Sequence, residues 1–214
     1  MRELVFQGDE TPAMPNQFTT RQKNERLFVS QCNALREIRF LRNACAEVTR
    51  LRIEEVPQLR SLAIGPVGET PAGWSFCWAE SLQLENLPSL ETLQLGDGSF
   101  RNVKSVSVRN LPALQSLILG EEACMGQLDV MGIGDRVVEL RGLDSLTRLV
   151  LGKNAMKNME VLRLGGVGQL TAEGVDLGEG ALSQLSELKC GADVSQDVKD
   201  KVQAGKIVKV FSLK

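Results

Sequence analysis

The sequence predicts a solenoid: a mostly β chain wound into stacked coils, with short parallel strands on two sides, few helices and a helix-strand cap at the C-terminal end. Three observations predict it. Segments beginning at Leu27, Leu51, Leu82, Val106, Val138, Leu162 and Leu188 repeat one apolar pattern, apolar-x-apolar twice per coil with apolar residues at every third step between. Pro57, Pro88 and Pro112 fall at one aligned position, just after the first strand of the coil, where a fixed φ and a missing N–H force a corner. Gly65, Gly96, Gly120, Gly152 and Gly178 share another position after the second strand, which predicts a sharp turn through positive φ.

In chain order, residues 1–26 form a polar N-terminal segment in which Leu4-Val5-Phe6 adds one strand to the first coil. Residues 27–190 make the array of about six to seven coils, with starts spaced 24, 31, 24, 32, 24 and 26 residues apart. The longer spacings are insertions: one between Gly65 and Phe76, after which Phe76 realigns with Phe100, and one between Cys124 and Val138. Such excursions serve as contact loops or are neutral. Residues 191–214 form a cap, since Val194 to Val202 has apolar residues at helical spacing and 206–211 is strand-like. A stacked array needs its last coil shielded from water.

Two segments resemble a known family. Leu35-x-x-Ile38-x-Phe40-x-x-Asn43-x-Cys45 and Leu146-x-x-Leu149-x-Leu151-x-x-Asn154-x-Met156 match the leucine-rich-repeat pattern LxxLxLxxNxL. The corresponding segments ending at Phe100 and Cys124 keep every apolar slot but put Gly98 and Glu122 where the family has Asn, which predicts looser corners there. The runs Gly96 to Phe100, Gly120 to Cys124 and Gly152 to Met156 are similar to the BspA-type repeats of bacterial and protist surface proteins. That resemblance implies strands on both the concave and the convex sides. It implies a fold and says little about activity.

Composition bounds the chemistry. The chain is 43% hydrophobic with no Tyr, two Trp and seven Phe, so Leu and Val carry the core. Net charge is −2 with basic residues spread along the sequence, which argues against nucleic acid as a partner. No apolar run approaches the roughly 18 residues of a spanning helix, so no membrane insertion is expected. Five cysteines without a CxxC, and no glycosylation sequon, lean toward a reducing cytoplasmic setting; the alternative is a cell surface, as part of a larger protein.

There is no histidine, which removes Ser-His, Cys-His and His-metal schemes together. Cys32, Cys45, Cys124 and Cys190 align with apolar slots and are expected to be buried, leaving Cys77 as the reactive thiol. Gly132-Ile-Gly134 and Gly166-Val-Gly168 lack the third glycine of a dinucleotide loop, and Gly205-Lys206 lacks the rest of a phosphate-binding loop. Neither enzymatic activity, cofactor nor metal is expected.

What remains is surface. Alternation on the strand that the resemblance makes concave exposes Arg39, Ala63, Gln94, Ile118, Val150 and Asp176 as one column, apolar at its centre, with Arg148 in the polar column beside it. An apolar stripe with a polar rim is what an interface core requires. Trp74 and Trp78, at the first insertion, are candidate loop contacts. The opposite strand column mixes Arg and Glu and reads as cross-strand ion pairs. Two readings follow: a non-catalytic scaffold binding another protein through the concave face and loops, or an architectural spacer or assembly element with no dedicated ligand.

Overall fold

The computed structural model describes residues 2–8, 26–68, 74–126 and 136–213. In chain order the elements are β1 (Glu3–Phe6), β2 (Arg26–Ser30), β3 (Glu37–Phe40), β4 (Arg50–Glu54), β5 (Ser61–Ile64), β6 (Ser81–Glu85), β7 (Thr92–Leu95) and β8 (Ser105–Arg109). They continue with β9 (Ser116–Leu119), β10 (Val137–Arg141), β11 (Arg148–Leu151), β12 (Val161–Gly165), β13 (Val175–Leu177), β14 (Glu187–Cys190), α1 (Gln196–Gln203) and β15 (Lys209–Ser212). Odd strands from β1 to β13 form one seven-stranded sheet, and even strands from β2 to β14, with β15 added, form an eight-stranded one. Every pairing is parallel, and from β1 to β14 the chain alternates between the two sheets, advancing one strand in each per coil.

The seven residues that begin the sequence repeat are Cα partners down a single ladder of the even sheet. Because strand side chains alternate, each strand turns two residues inward and the rest outward. In the odd sheet the inward pairs include Ile38 and Phe40, Leu62 and Ile64, Leu93 and Leu95, and Leu117 and Leu119, all buried. The even sheet faces them with Leu51 and Ile53, Leu82 and Leu84, and Val106 and Val108. One continuous core results. No coil encloses its own leucines, so their burial, about 1.5–3 kcal/mol for each large side chain, depends on the coils above and below.

The corners after the odd sheet differ from the expectation drawn from the glycines. Positive φ falls on Asn43, Gly98, Glu122, Asn154 and Gly180, and again two residues later on Cys45, Phe100, Cys124, Met156 and Leu182. Of the five aligned glycines, only Gly65 has positive φ. The others are there for space: a Cβ on Gly96 would lie 2.3 Å from the Pro66 carbonyl oxygen, and one on Gly152 would lie 2.6 Å from the Gly120 carbonyl carbon. Stacked corners approach too closely for a side chain.

Nor are the corners at Gly98 and Glu122 looser. The N–H groups of Gly98, Glu122 and Asn154 each donate at 2.8 Å to a carbonyl of the following coil, those of Glu121, Lys153 and Glu179. The second positive-φ residue donates backward, Phe100 to Ser75 and Cys124 to Ser99. Each corner is thus bonded to both neighbours through backbone, which offsets the roughly 1–2 kcal/mol that a left-handed conformation costs a non-glycine residue. The side chain in the Asn slot is secondary. Buried Asp97 adds to the lattice, accepting from the N–H groups of Glu121 (2.7 Å) and Gly68 (2.6 Å).

Phenylalanines reinforce the first half of the stack. The Phe6 and Phe40 rings stack at 4.3 Å, Phe40 meets Phe76 edge-on at 4.9 Å, and Phe76 stacks on Phe100 at 4.9 Å. Further along, Cys124, Met156 and Leu182 occupy the slot of Phe76 and Phe100.

At the C-terminal end α1 packs against β13. Ser195 caps it by accepting from the Val198 N–H (3.3 Å), and Val198 and Val202, four apart on one face, are buried. Val210 continues the inward Leu188 column but is 45% exposed, because among the described residues no strand pairs with the outer edge of β15. Asp193 closes the corner ladder of the even sheet. Its carboxylate accepts from the Val167 N–H (2.7 Å), where the two preceding corners use backbone carbonyls. Burial pushes its pKa up, but hydrogen bonds from the Val167 and Gly166 backbone outweigh that and hold it below the usual value. No helix among the described residues is long and apolar enough to cross a membrane.

Candidate interaction surface

The outward face of the odd sheet joins the sequence-predicted column. Val5, Arg39, Ala63, Gln94, Ile118, Val150 and Asp176 are successive Cα partners. Val5 was not in the predicted set; the alternation of Leu4-Val5-Phe6 was the signal for it. Neighbours of one column on adjacent strands stand about 5 Å apart, so side chains shield one another laterally. Ala63, Gln94, Ile118 and Val150 are accordingly half-buried, whereas Arg39 and Asp176 at the flanks are exposed.

Polarity follows the same geometry. The parallel column runs Glu3, Glu37, Ser61, Thr92, Ser116 and Arg148, with the Thr92 hydroxyl 3.4 Å from that of Ser61. Charge on this face is paired at its first end: Arg39 bonds Glu3, at 3.0 Å through Nε, and lies 3.3 Å from Glu37. The Glu3 hydrogen bond and the charges of Glu3 and Glu37 hold the Arg39 guanidinium above its ordinary pKa. From Ala63 to Val150 the central column carries amide and aliphatic groups, hydroxyls stand beside it as far as Ser116, and among the described residues no ion pair crosses it. It is a strip that sheds water at low cost.

The even sheet presents the opposite pattern outward. Arg52 pairs with Glu54 and reaches Glu85 (4.0 Å); Arg109 lies 3.9 Å from Glu85 and 3.8 Å from Glu139; Arg141 lies 3.5 Å from Glu139. This is the ion-paired face read from the sequence.

No family model, curated protein or solved structure matches this chain.

Trp74 and Trp78 lie apart from the column, at the corner after β5, and both are half-buried. The Trp74 N–H donates to Asn43 Oδ1 (3.0 Å), and the Arg101 guanidinium sits 5.0 Å from its ring while pairing with Glu122. Asn43, Trp74, Arg101 and Glu122 thereby tie four successive corners together. This is a structural assignment that loop position alone did not suggest. Residues 69–73 and 127–135, the centres of the two insertions, lie outside the described residues, and with them the Gly132-Ile-Gly134 run.

The thiols correct two expectations. Cys77 is buried, its Sγ directed at the Ala46 carbonyl of one neighbouring coil (3.9 Å) while Asn102 of the other bonds its own carbonyl (2.8 Å). Cys32 is exposed, although the aligned Val56, Leu87 and Leu111 are fully buried. It belongs to the first coil of the even sheet, where among the described residues β2 pairs on one side only. Burial raises the thiol pKa of Cys45 to about 11 and also raises those of Cys124 and Cys190.

Proposed function

We propose that the chain is a non-catalytic protein-interaction scaffold of the leucine-rich-repeat kind, binding a partner protein through the outward face of the odd sheet. The observation that carries the reading is the contrast along that face. Its centre, Ala63 to Val150, is half-buried and uncharged, and its charged flanks are Arg39 and Asp176. Burying such a strip against a partner gains apolar area without stripping water from fixed charges. Arg148, beside Ser116 in the adjacent column, is the rim residue positioned to orient a partner. Nothing in the reading requires a cofactor.

Ile118→Asp tests it, with Leu117→Ala as the structural control. A partner captured by the native chain and lost with Ile118→Asp, while both proteins remain folded, supports the scaffold; a desolvated carboxylate at the centre of an interface is strongly unfavourable. If Ile118→Asp leaves every interaction intact, the architectural reading replaces it.

A further inference from the structure

The even sheet carries a second surface feature, at its first end. Arg26 and Arg50 are Cα partners on β2 and β4, Phe28 and Arg52 are partners one step along, and β6 adds Ser81 and Gln83 to the same two columns. Cβ atoms of partners on adjacent strands stand about 5 Å apart, so the Arg26 and Arg50 side chains leave the sheet side by side. Both side chains are exposed, and among the described residues neither forms an ion pair or hydrogen bond. Like charges side by side destabilise a sheet. Elsewhere on this face like-charged partners share a counter-ion, as Arg109 and Arg141 share Glu139, so the uncompensated pair is a local exception.

The six side chains border a concavity of about 290 Å³ whose floor is Leu27 and Leu51. Arg52 is already committed: its Nε donates to Glu54 (2.8 Å), and its guanidinium lies 5.8 Å from the Phe28 ring. That leaves a positive wall of two arginines, a hydroxyl and an amide at one end, and an aromatic ring that is 54% exposed.

We propose that this concavity is a site for a phosphate monoester borne on an aromatic group, a phosphorylated tyrosine side chain of a partner protein. Two adjacent guanidiniums supply forked donors to the oxyanion and their repulsion is relieved by its charge. Ser81 adds a hydroxyl donor, and Phe28 receives the ring of the ligand. A nucleic-acid strand fits less well. It requires cations along a track, and this column passes from Arg26 and Arg50 directly to Ser81 and Ser105.

The test is a titration of the full chain, followed by backbone amide shifts, with O-phosphotyrosine, inorganic phosphate, tyrosine and a single-stranded oligonucleotide. O-phosphotyrosine should saturate, moving the amides of Arg26, Arg50 and Ser81, and tyrosine should not. Arg50→Gln and Arg26→Gln should each weaken it about tenfold, the loss of one charge-assisted contact. Phe28→Ala should reduce it about fivefold, toward the affinity of inorganic phosphate. Arg163→Gln, on the same face but away from the concavity, should change nothing. All four residues are solvent-facing, so folding should survive substitution. The proposal is overturned if O-phosphotyrosine fails to saturate, or if Arg50→Gln and Arg163→Gln behave alike. It is overturned too if inorganic phosphate binds as well as O-phosphotyrosine, which marks a free-anion site, or if the oligonucleotide binds more tightly than either.

Discussion

The two sheets share one core and one spacing, yet their outward faces differ. The odd sheet carries Ala63, Gln94, Ile118 and Val150 where the even sheet carries a chain of Arg and Glu contacts from Arg52 to Arg141. Inward residues answer to stacking and are apolar in both sheets; outward residues have no such obligation. A difference confined to the outward columns therefore reports what each face meets: water for one, a partner in the proposed reading for the other.

The largest effect should show that the core is shared. Leu117→Ala on the odd sheet and Leu140→Ala on the even sheet both empty fully buried sites, and each should cost about 2–5 kcal/mol in denaturant unfolding. A marked inequality would mean that one sheet dominates the packing. Ile118→Asp, one residue from Leu117, should cost about 1 kcal/mol or less because the carboxylate stays hydrated. Unfolding as severe as that of Leu117→Ala would show the inside-outside register to be wrong.

Glu139→Gln breaks the even face at a carboxylate shared by two arginines. It leaves Arg109 and Arg141 without that partner and should cost about 0.2–1 kcal/mol at low salt, vanishing at high salt. An odd-face variant such as Gln94→Ala should show no salt dependence, and finding one would erase the contrast. Between the faces lies Asp193, whose pKa is held below its ordinary value of 3.8. A depressed carboxylate contributes stability above the unfolded value, lost as pH falls through the folded one. Native stability should therefore decline below about pH 4 more steeply than that of Asp193→Asn; parallel curves would remove Asp193 from the ladder. The gentlest probe changes no stability at all: a thiol reagent should label Cys32 first and leave Cys124 and Cys77 protected until denaturant is added. Early labelling of Cys124 would contradict the stacking.

Strand register was legible in the sequence because it is written in side chains. The seven repeat starts, the Phe76 to Phe100 alignment and the outward column all follow from periodicity that parallel stacking preserves. Corners were not legible in the same way. Positive φ falls on Phe100, Cys124 and Met156, residues with no turn propensity, because backbone bonds to two neighbouring coils enforce it. Cys32 departed from expectation for a related reason: alignment treats every coil as interior, whereas Cys32 lies on the first. Of the candidate site, the column was visible in advance and the Asn43, Trp74, Arg101 and Glu122 tie was not, since it joins residues from four coils.

Strand pairing in this molecule runs along the stack, from β1 and β2 at one extremity to β13 and β15 at the other. A load applied between the two extremities would act along the hydrogen bonds and detach coils in succession, instead of shearing many bonds at once. Held in an optical trap, the chain should yield in a series of small steps at modest force, making it a compliant element that lengthens by whole coils. A single high-force rupture would show that the phenylalanine run and the tied corners weld the coils into one mechanical unit.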